Sequence, residues 1–216
     1  MEGITYDYMV DYLRGLIRDN LPVIKDLEAY AKENNIPIVQ KETGRFLEVI
    51  TAIQRPAKIL ELGTAIGYSS ILMSEALNNE VEIITIERDP KMIALAGDNI
   101  KKYGYGNIRI LEGEALKILD DLEGTFDMIF LDGGQGHYNH YLPHCLRLLD
   151  KDGIIVADNV LFRGMVASDE LIKRRKITIV KRMRKFLDEV NANPTLVTSV
   201  IPMGDGIAIT RRRIKT

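Results

Sequence analysis

The chain has 216 residues, of which 46% are apolar, so it is long enough to form a stable hydrophobic core without disulfide bonds or structural metal ions. Its single cysteine excludes an internal disulfide, no apolar run approaches the ~20 residues that span a bilayer, and the acidic start MEGITYDYMVDYL lacks the features of a signal peptide. We therefore expect a single cytoplasmic domain, residues 1–216. Its net charge of −2 is unevenly distributed: residues 163–216 carry 13 Lys and Arg against 5 Asp and Glu, so the C-terminal part is basic.

Helix-like segments come first in the chain. We predict that residues 1–56 form a helical cap on a core of residues 57–216. A ligand in an open α/β fold binds beyond the carboxyl ends of the strands, so such a cap could cover the ligand. The cap could equally serve oligomerisation. Its three predicted helices are YDYMVDYLRGLI, LPVIKDLEAYAKENN and KETGRFLEVITAIQ.

From Lys58 onward, continuous apolar runs alternate with helix-like segments. Such runs are typical of parallel strands that are covered on both faces, and their alternation with helices predicts a doubly wound α/β sheet. The strand-like runs are KILEL (58–62), VEIITIE (81–87), NIRIL (107–111), FDMIFLD (126–132) and DGIIVAD (152–158), with predicted helices over 69–77, 90–103 and 137–149.

A long charged helix over about 169–192 and a hairpin follow the predicted parallel strands. The hairpin signal is MGDG between TLVTSVIP and GIAITRRR. An α/β sheet that ends in an antiparallel hairpin is the pattern of class I methyltransferases, so we predict a Rossmann-like, seven-stranded and mostly parallel sheet.

The segment ILELGTAIGYSS (59–70) reads as a strand, a glycine turn and a helix. Gly63 and Gly67 allow the backbone to turn and approach a ligand, and Ser69 adds a hydroxyl near the helix N-terminus that could meet a carboxylate. The spacing lacks the middle glycine of the dinucleotide-binding fingerprint, which argues against a pyrophosphate here. Plain turn chemistry is the alternative.

Acidic residues end successive predicted strands. Glu87 lies about 20 residues beyond the glycine turn, where an acid can accept the ribose hydroxyls of a nucleotide. The segment LEGEA (111–115), Asp132 and Asp158 end the next three strands. Each acid alone could be a helix N-cap, but together they favour a ligand that contains a nucleoside.

Asp132, Asp158 and Asn159 are oxygen ligands at the ends of neighbouring predicted strands. Two carboxylates and an amide oxygen suit a hard divalent cation, for which Mg²⁺ is the first candidate. The alternative is that Asp158 and Asn159 only cap a turn.

Several motifs resemble one known family. ELGTAIGYSS, IERD, FLDGG and ADNVLFRG are similar to the cation-dependent O-methyltransferases of the catechol and caffeoyl-CoA type, which use S-adenosylmethionine. LEAYAKENNIPIV, DNVLFRGMV and VIPMGDGIAITRRR further resemble the bacterial tRNA 5-hydroxyuridine methyltransferases, which form 5-methoxyuridine at the wobble position. Relatives of this kind are commonly homodimers.

The resemblance implies a role for each matching residue. The methionine carboxylate would meet the backbone at Val39 and the hydroxyl of Ser69. The remaining implied contacts are Glu61 and Gly63 along the cofactor, Glu87 at the ribose, Glu114 and Ala115 at the adenine, and Asp132, Asp158 and Asn159 at Mg²⁺. Asp132 would thus be the catalytic centre.

Gln135 departs from the family pattern, because many relatives have a lysine here as a candidate base. A glutamine cannot take up a proton at physiological pH. Either a cation suffices to acidify the acceptor hydroxyl, or the chain binds S-adenosylmethionine with little turnover. In 5-hydroxyuridine the adjacent O5 and O4 could chelate Mg²⁺ as a catechol does.

Basic clusters occur at 172–176, 181–185 and 211–215, and they are either solvated faces or phosphate-binding surfaces. A tRNA anticodon stem-loop would use such a surface, with Arg163 near the acceptor nucleotide and Arg174 and Arg175 on phosphates. A catechol or a phenolic CoA ester is the alternative acceptor.

All three histidines, His137, His140 and His144, fall in one predicted helix. On a helical projection they lie opposite the apolar face, which favours a solvated or interface role over a metal site. Only His137 would come near the substrate.

Overall fold

The computed structural model describes residues 4–17 and 21–214, and its centre is one seven-stranded sheet. The strands are β1 (Lys58–Leu62), β2 (Glu82–Glu87), β3 (Ile108–Glu112), β4 (Phe126–Leu131), β5 (Leu149–Ala157), β6 (Leu196–Ile201) and β7 (Ile207–Arg212). Their order is β3-β2-β1-β4-β5-β7-β6. The first five strands pair in parallel, and β7 pairs antiparallel with both β5 and β6. The predicted mostly parallel sheet with a C-terminal hairpin is confirmed.

Helices cover both faces of the sheet. They are α1 (Asp7–Leu16), α2 (Pro22–Glu33), α3 (Lys41–Gln54), α4 (Tyr68–Glu75), α5 (Pro90–Tyr103), α6 (Ala115–Asp121), α7 (Tyr138–Leu148) and α8 (Ile177–Ala192). The ends of α5 follow from its sequence, because the Asp89 side chain accepts hydrogen bonds from the first turn and Gly104 ends the helix in the left-handed conformation. No helix of the described chain is long and apolar enough to cross a bilayer.

The core lies in two layers, one on each face of the sheet. Neighbouring residues of a strand alternate between them: Ile59 packs with the layer under α2, α3 and α4, and Leu60 packs with the layer under α6, α7 and α8. Both layers are buried, and this double burial explains why the strands read as continuous apolar runs.

Two predicted boundaries were wrong, and one helix was not predicted. The helix predicted from residue 169 begins at Ile177, and residues 169–176 form two short 3₁₀ turns. The buried side chains of α8 begin only at Val180, so the preceding residues lack an apolar face whose packing would stabilise a helix. Strand β5 begins at Leu149 rather than residue 152, because Leu149 is buried and pairs with Phe126 across a bulge. The seven-residue α6 was not predicted.

Candidate active site

Two neighbouring cavities lie at the carboxyl edge of the parallel strands. We call one the β2–β3 cavity; it is lined by Glu87, Gly113, Glu114, Ala115, His137 and Tyr141, among others. The other is the β4–β5 cavity, which is lined by Val39, Thr43, Asp132, Gln135, Asp158, Asn159 and Asp205, among others. Both include Gly63, Glu87 and Gly133 in their walls, so the two cavities adjoin.

Backbone contact between two glycines makes the junction of the cavities. Gly63 follows β1 with φ +105°, and a Cβ at this position would lie 2.6 Å from the amide nitrogen of Gly133, which follows β4. The Gly63 amide donates to the carbonyl of Ile86 at 3.0 Å. Only a residue without a side chain fits at Gly63, because the Gly133 backbone occupies the space; the approach of this turn to a ligand stays a prediction.

Glu61 lies beneath the glycine turn and is fully buried. Its carboxylate accepts hydrogen bonds from Ser70 and, at 2.7 Å, from Thr85. Burial raises the pKa of Glu61, and hydrogen bonds from Ser69, Ser70 and Thr85 partly offset that rise. Glu61 and Ser69 therefore support the turn and line neither cavity, and their predicted cofactor contacts stay predictions.

Glu87 is held by the backbone at the end of β2. Its carboxylate accepts from the amides of Ala65 at 3.0 Å, Arg88 at 2.9 Å and Asp89 at 3.0 Å. A carboxylate offers about four lone-pair sites, so acceptor capacity remains for a ligand. The side chain lines both cavities, as the position predicted for a ribose-binding acid requires.

The remaining walls of the β2–β3 cavity come from α6 and α7. Glu114 and Ala115 line it, and Glu114 forms an exposed ion pair with Arg88 at 3.2 Å; their contact with an adenine stays a prediction. His137 and Tyr141 form part of the wall, with ring centroids 6.1 Å apart. Tyr141 was missed because an aromatic residue four positions from a histidine reads as ordinary helix packing.

The three histidines do not converge. His137 lines the β2–β3 cavity, His140 is exposed, and the His144 Nδ1 lies 3.6 Å from the Asp120 carboxylate. Partial desolvation, together with the positive charge of Arg182 nearby, lowers the pKa of His137.

Asp132, Asp158 and Asn159 come together in the β4–β5 cavity, as predicted. The Asn159 side-chain amide donates to Asp132 at 3.3 Å, and its backbone amide donates to Asp158 at 2.6 Å. Burial raises the pKa of Asp158 to about 7, and burial together with the negative charge of Asp158 raises that of Asp132. Two desolvated carboxylates are thus held side by side.

This donor set fits a divalent cation. Like charges in a desolvated cavity are costly unless a positive charge compensates them, and every influence on the pKa of Asp132 raises it. Within the described residues, no group of three or more His, Cys, Asp or Glu side chains is arranged around a metal position. Beside the two carboxylates, the amide oxygen of Asn159 would be a third oxygen donor.

Gln135 lines the same cavity from a 3₁₀ turn, Gln135–His137, and its side chain donates to the Asp132 carbonyl at 3.3 Å. Helix α8 holds this turn, because Arg182 donates to the Gly136 carbonyl at 3.1 Å. Arg184 donates to the Val166 carbonyl at 2.9 Å and thereby joins α8 to the segment that follows Asn159.

The basic clusters divide into structural and exposed parts. Arg182, Arg184 and Arg212 donate to backbone carbonyls and are not a free phosphate-binding surface. Arg163, Arg174 and Arg175 are exposed. The Lys176 ammonium lies 5.7 Å from the ring centroid of Phe162, so the turn that contains Arg174 and Arg175 adjoins the loop that follows Asn159. Lys215 of the last cluster lies outside the described residues.

Comparisons with known proteins agree with this geometry. A family model described as O-methyltransferase matches residues 18–213. The catechol O-methyltransferase of Niastella koreensis is 35% identical over 170 residues, which cover 76% of this chain and 75% of the relative. Caffeoyl-CoA O-methyltransferase 1 of Eucalyptus globulus is 31% identical over 188 residues, covering 82% and 76%. The S-adenosylhomocysteine-bound methyltransferase PaMTH1 of Podospora anserina superposes with a TM-score of 0.88 at 26% identity, covering 96% and 95%.

The raised pKa of Asp158 predicts a pH-dependent cost of folding. An acid whose pKa is higher in the folded chain favours folding at low pH, and this contribution is lost as the pH rises from the unfolded pKa, about 4, through the folded pKa of about 7. In chelator, Asp158→Asn should therefore unfold at higher urea than the parent protein, with a difference that grows from pH 5 to pH 7 and then levels off at roughly 2–4 kcal/mol.

The matched control is Asp152→Asn, which changes an exposed carboxylate on β5, the strand that Asp158 follows. Its free energy of unfolding should stay at a constant offset from that of the parent over this pH range. A constant offset for Asp158→Asn as well would contradict an uncompensated buried charge.

Proposed function

Because this chain belongs to the O-methyltransferase family, we propose that it transfers the methyl group of S-adenosylmethionine to a hydroxyl that has a second oxygen beside it. One observation carries the proposal: Asp132, Asp158 and Asn159 lie together in a cavity that adjoins, across Gly63 and Gly133, the cavity that Glu87 and Glu114 line.

The cofactor would occupy both cavities. The adenine would lie in the β2–β3 cavity beside Glu114 and Ala115, and the ribose hydroxyls would donate to the remaining lone pairs of Glu87. The methionine end would enter the β4–β5 cavity toward the Val39 backbone. This arrangement would bring the sulfonium methyl to the junction beside Asp132.

Asp132, Asp158 and the Asn159 amide oxygen would hold a divalent cation, with Mg²⁺ as the first candidate because all three donors are oxygens. When bound, this ion would supply positive charge that lowers the pKa of an acceptor hydroxyl and would favour an acceptor with a second oxygen beside it. The Asn159 amide would have to rotate, since its nitrogen now faces Asp132.

The chemical step is a displacement at carbon. The acceptor oxygen forms the new C–O bond, the C–S bond breaks, and the sulfur keeps the electron pair as S-adenosylhomocysteine forms. The hydroxyl proton leaves to solvent, because Gln135 has no site that can take it up. The protein contributes chiefly by holding the two reactants in line, and Gln135 and Asp132 would orient the acceptor.

We propose 5-hydroxyuridine in a tRNA anticodon stem-loop as the acceptor. Its O5 and O4 atoms are adjacent, and the exposed Arg174 and Arg175 adjoin the loop at the cavity rim, where phosphates of a bound stem-loop would pass. Arg163, exposed on that loop, would contact the acceptor nucleotide.

A small-molecule acceptor is the second candidate. The relatives named above are a catechol and a caffeoyl-CoA O-methyltransferase, and both acceptors have adjacent oxygens on a ring. A third reading, a protein that binds S-adenosylmethionine with little turnover, follows only from Gln135.

Methyl transfer from labelled S-adenosylmethionine would separate these functions. We expect 5-methoxyuridine in hydroxyuridine-containing tRNA, at a higher kcat/KM than methylation of catechol or of a phenolic CoA ester. Chelator or Asp158→Ala should reduce transfer about 100-fold or more, because removal of a metal ligand also removes the acidifying charge. The control Asp152→Ala should be as active as the parent.

Faster methylation of a small phenol would favour the second candidate. Tight binding of S-adenosylmethionine without transfer to any acceptor would favour the third. Full activity of Asp158→Ala in chelator would contradict the cation site.

The proposed phosphate contacts predict a charge-dependent affinity for RNA. Replacing Arg174 and Arg175 with glutamate should weaken stem-loop binding and reduce the slope of log affinity against log salt by about 1 per lost contact. The matched control is Lys101→Glu with Lys102→Glu, an equal charge change on the last turn of α5, at the opposite edge of the sheet. Equal effects of the two double variants would indicate non-specific attraction.

We also propose that the protein is a homodimer through α1 and α3. Tyr8 and Tyr12 on α1, with Val49 and Ile53 on α3, expose large apolar side chains, and such patches usually mark association surfaces. Sedimentation of the full chain should give a species of twice the 24.4 kDa chain mass, and Ile53→Asp with Val49→Asp should reduce it to a monomer. A monomeric parent protein would contradict this proposal.

A further inference from the structure

The turn between β6 and β7 is bonded to the segment that carries two of the proposed cation ligands. We call residues 158–164 the ligand loop. The Gly206 carbonyl accepts from the Val160 amide at 3.0 Å, and the Asp205 carbonyl accepts from the Leu161 amide at 3.0 Å. The Asp205 carboxylate accepts a third hydrogen bond from the Arg163 amide.

The ligand loop needs such support because of its backbone conformation. Asn159, Phe162 and Arg163 have φ values of 60°, 45° and 56°, and Gly164 follows at 76°. Residues with a Cβ avoid this left-handed region, so three of them within five positions keep it only where surrounding contacts hold them.

The turn itself has little room to move. A Cβ on Gly206 would lie 2.5 Å from Leu161 Cγ, and one on Gly204 would lie 2.6 Å from the Thr43 hydroxyl on α3. The turn is therefore wedged between the ligand loop and α3. Asp205 is 9% exposed and lines the β4–β5 cavity with Asp158 and Asn159.

We propose that Asp205 is a positioning residue for methyl transfer. Its carboxylate holds the Arg163 amide and so fixes the ligand loop, which sets the positions of the Asp158 and Asn159 oxygens and of Arg163 at the rim. The hydrogen bond, and not the negative charge, carries this role. The inference rests on the proposed function, because it assigns those oxygens to a cation.

Asp205→Asn and Asp205→Ala separate the hydrogen bond from the charge. Asparagine retains a carbonyl oxygen that can accept from the Arg163 amide, whereas alanine has none. Asp205→Leu, a branched side chain without an acceptor, is the second variant should the alanine protein fail to fold. The matched control is Asp127→Ala. Asp127 likewise accepts from two backbone amides, those of Ala57 and Lys58 at 2.8 Å, but at the amino-terminal ends of β1 and β4.

Two measurements on the full chain do not depend on methyl transfer. In the alanine or leucine variant, hydrogen exchange of peptides covering the ligand loop should accelerate, and Mn²⁺ affinity by electron paramagnetic resonance should fall about tenfold or more, as for residues that orient metal ligands. Affinity for S-adenosylmethionine should be unchanged. In transfer assays, the acceptor KM should rise while that for S-adenosylmethionine should not.

The exchange rate of the ligand loop and the Mn²⁺ affinity of Asp205→Asn should be close to those of the parent protein. Asp127→Ala should lower stability without changing Mn²⁺ affinity. Parent-like exchange and Mn²⁺ affinity in the alanine or leucine variant would overturn the inference, as would an asparagine variant that is equally impaired. If the parent protein itself binds no Mn²⁺, the proposed cation site fails, whereas the exchange rates still decide whether Asp205 holds the loop.

Discussion

The contact between Gly63 and Gly133 is the constraint on which the candidate site depends. It brings the turns after β1 and β4 so close that a Cβ at either glycine would meet backbone atoms of the other at 2.8 Å or less. Because neither turn has a side chain at the junction, the β2–β3 and β4–β5 cavities adjoin directly. A ligand that has its nucleoside in one cavity can therefore present its other end beside Asp132 in the other.

Electrostatics give the two cavities different chemistry. In the first, Glu87 is satisfied by three backbone amides, which stabilise its charge and leave acceptor capacity for hydroxyls. In the second, Asp132 and Asp158 lie side by side, and burial, with the charges of neighbouring carboxylates, raises the pKa of both. Under the proposed function, a carboxylate would thus accept from hydroxyls in one cavity and bind a cation in the other, according to its surroundings.

Helix α8 connects the two chain segments that follow β4 and β5. Its Arg182 and Arg184 donate to the carbonyls of Gly136 and Val166, which lie in the segments that follow β4 and β5. Arg182 and Arg184 therefore stabilise the fold, while Arg174 and Arg175, which precede the helix, are exposed. Adjacent cations in one charged stretch have different roles because only some of them face backbone carbonyls.

The sequence by itself determined the sheet, the glycine turn and the acids that end the strands, because these depend on local patterns: continuous apolar runs, glycine spacing and the residue at each strand end. It also brought Asp132, Asp158 and Asn159 together, since the ends of neighbouring parallel strands meet at one edge. Only the tertiary structure decided where α8 begins, that Glu61 lies under the turn, that Tyr141 lines a cavity, and that Asp205 holds a loop some 40 residues earlier in the chain. These features depend on packing and hydrogen bonds between segments distant in sequence, and no local pattern of residues specifies them.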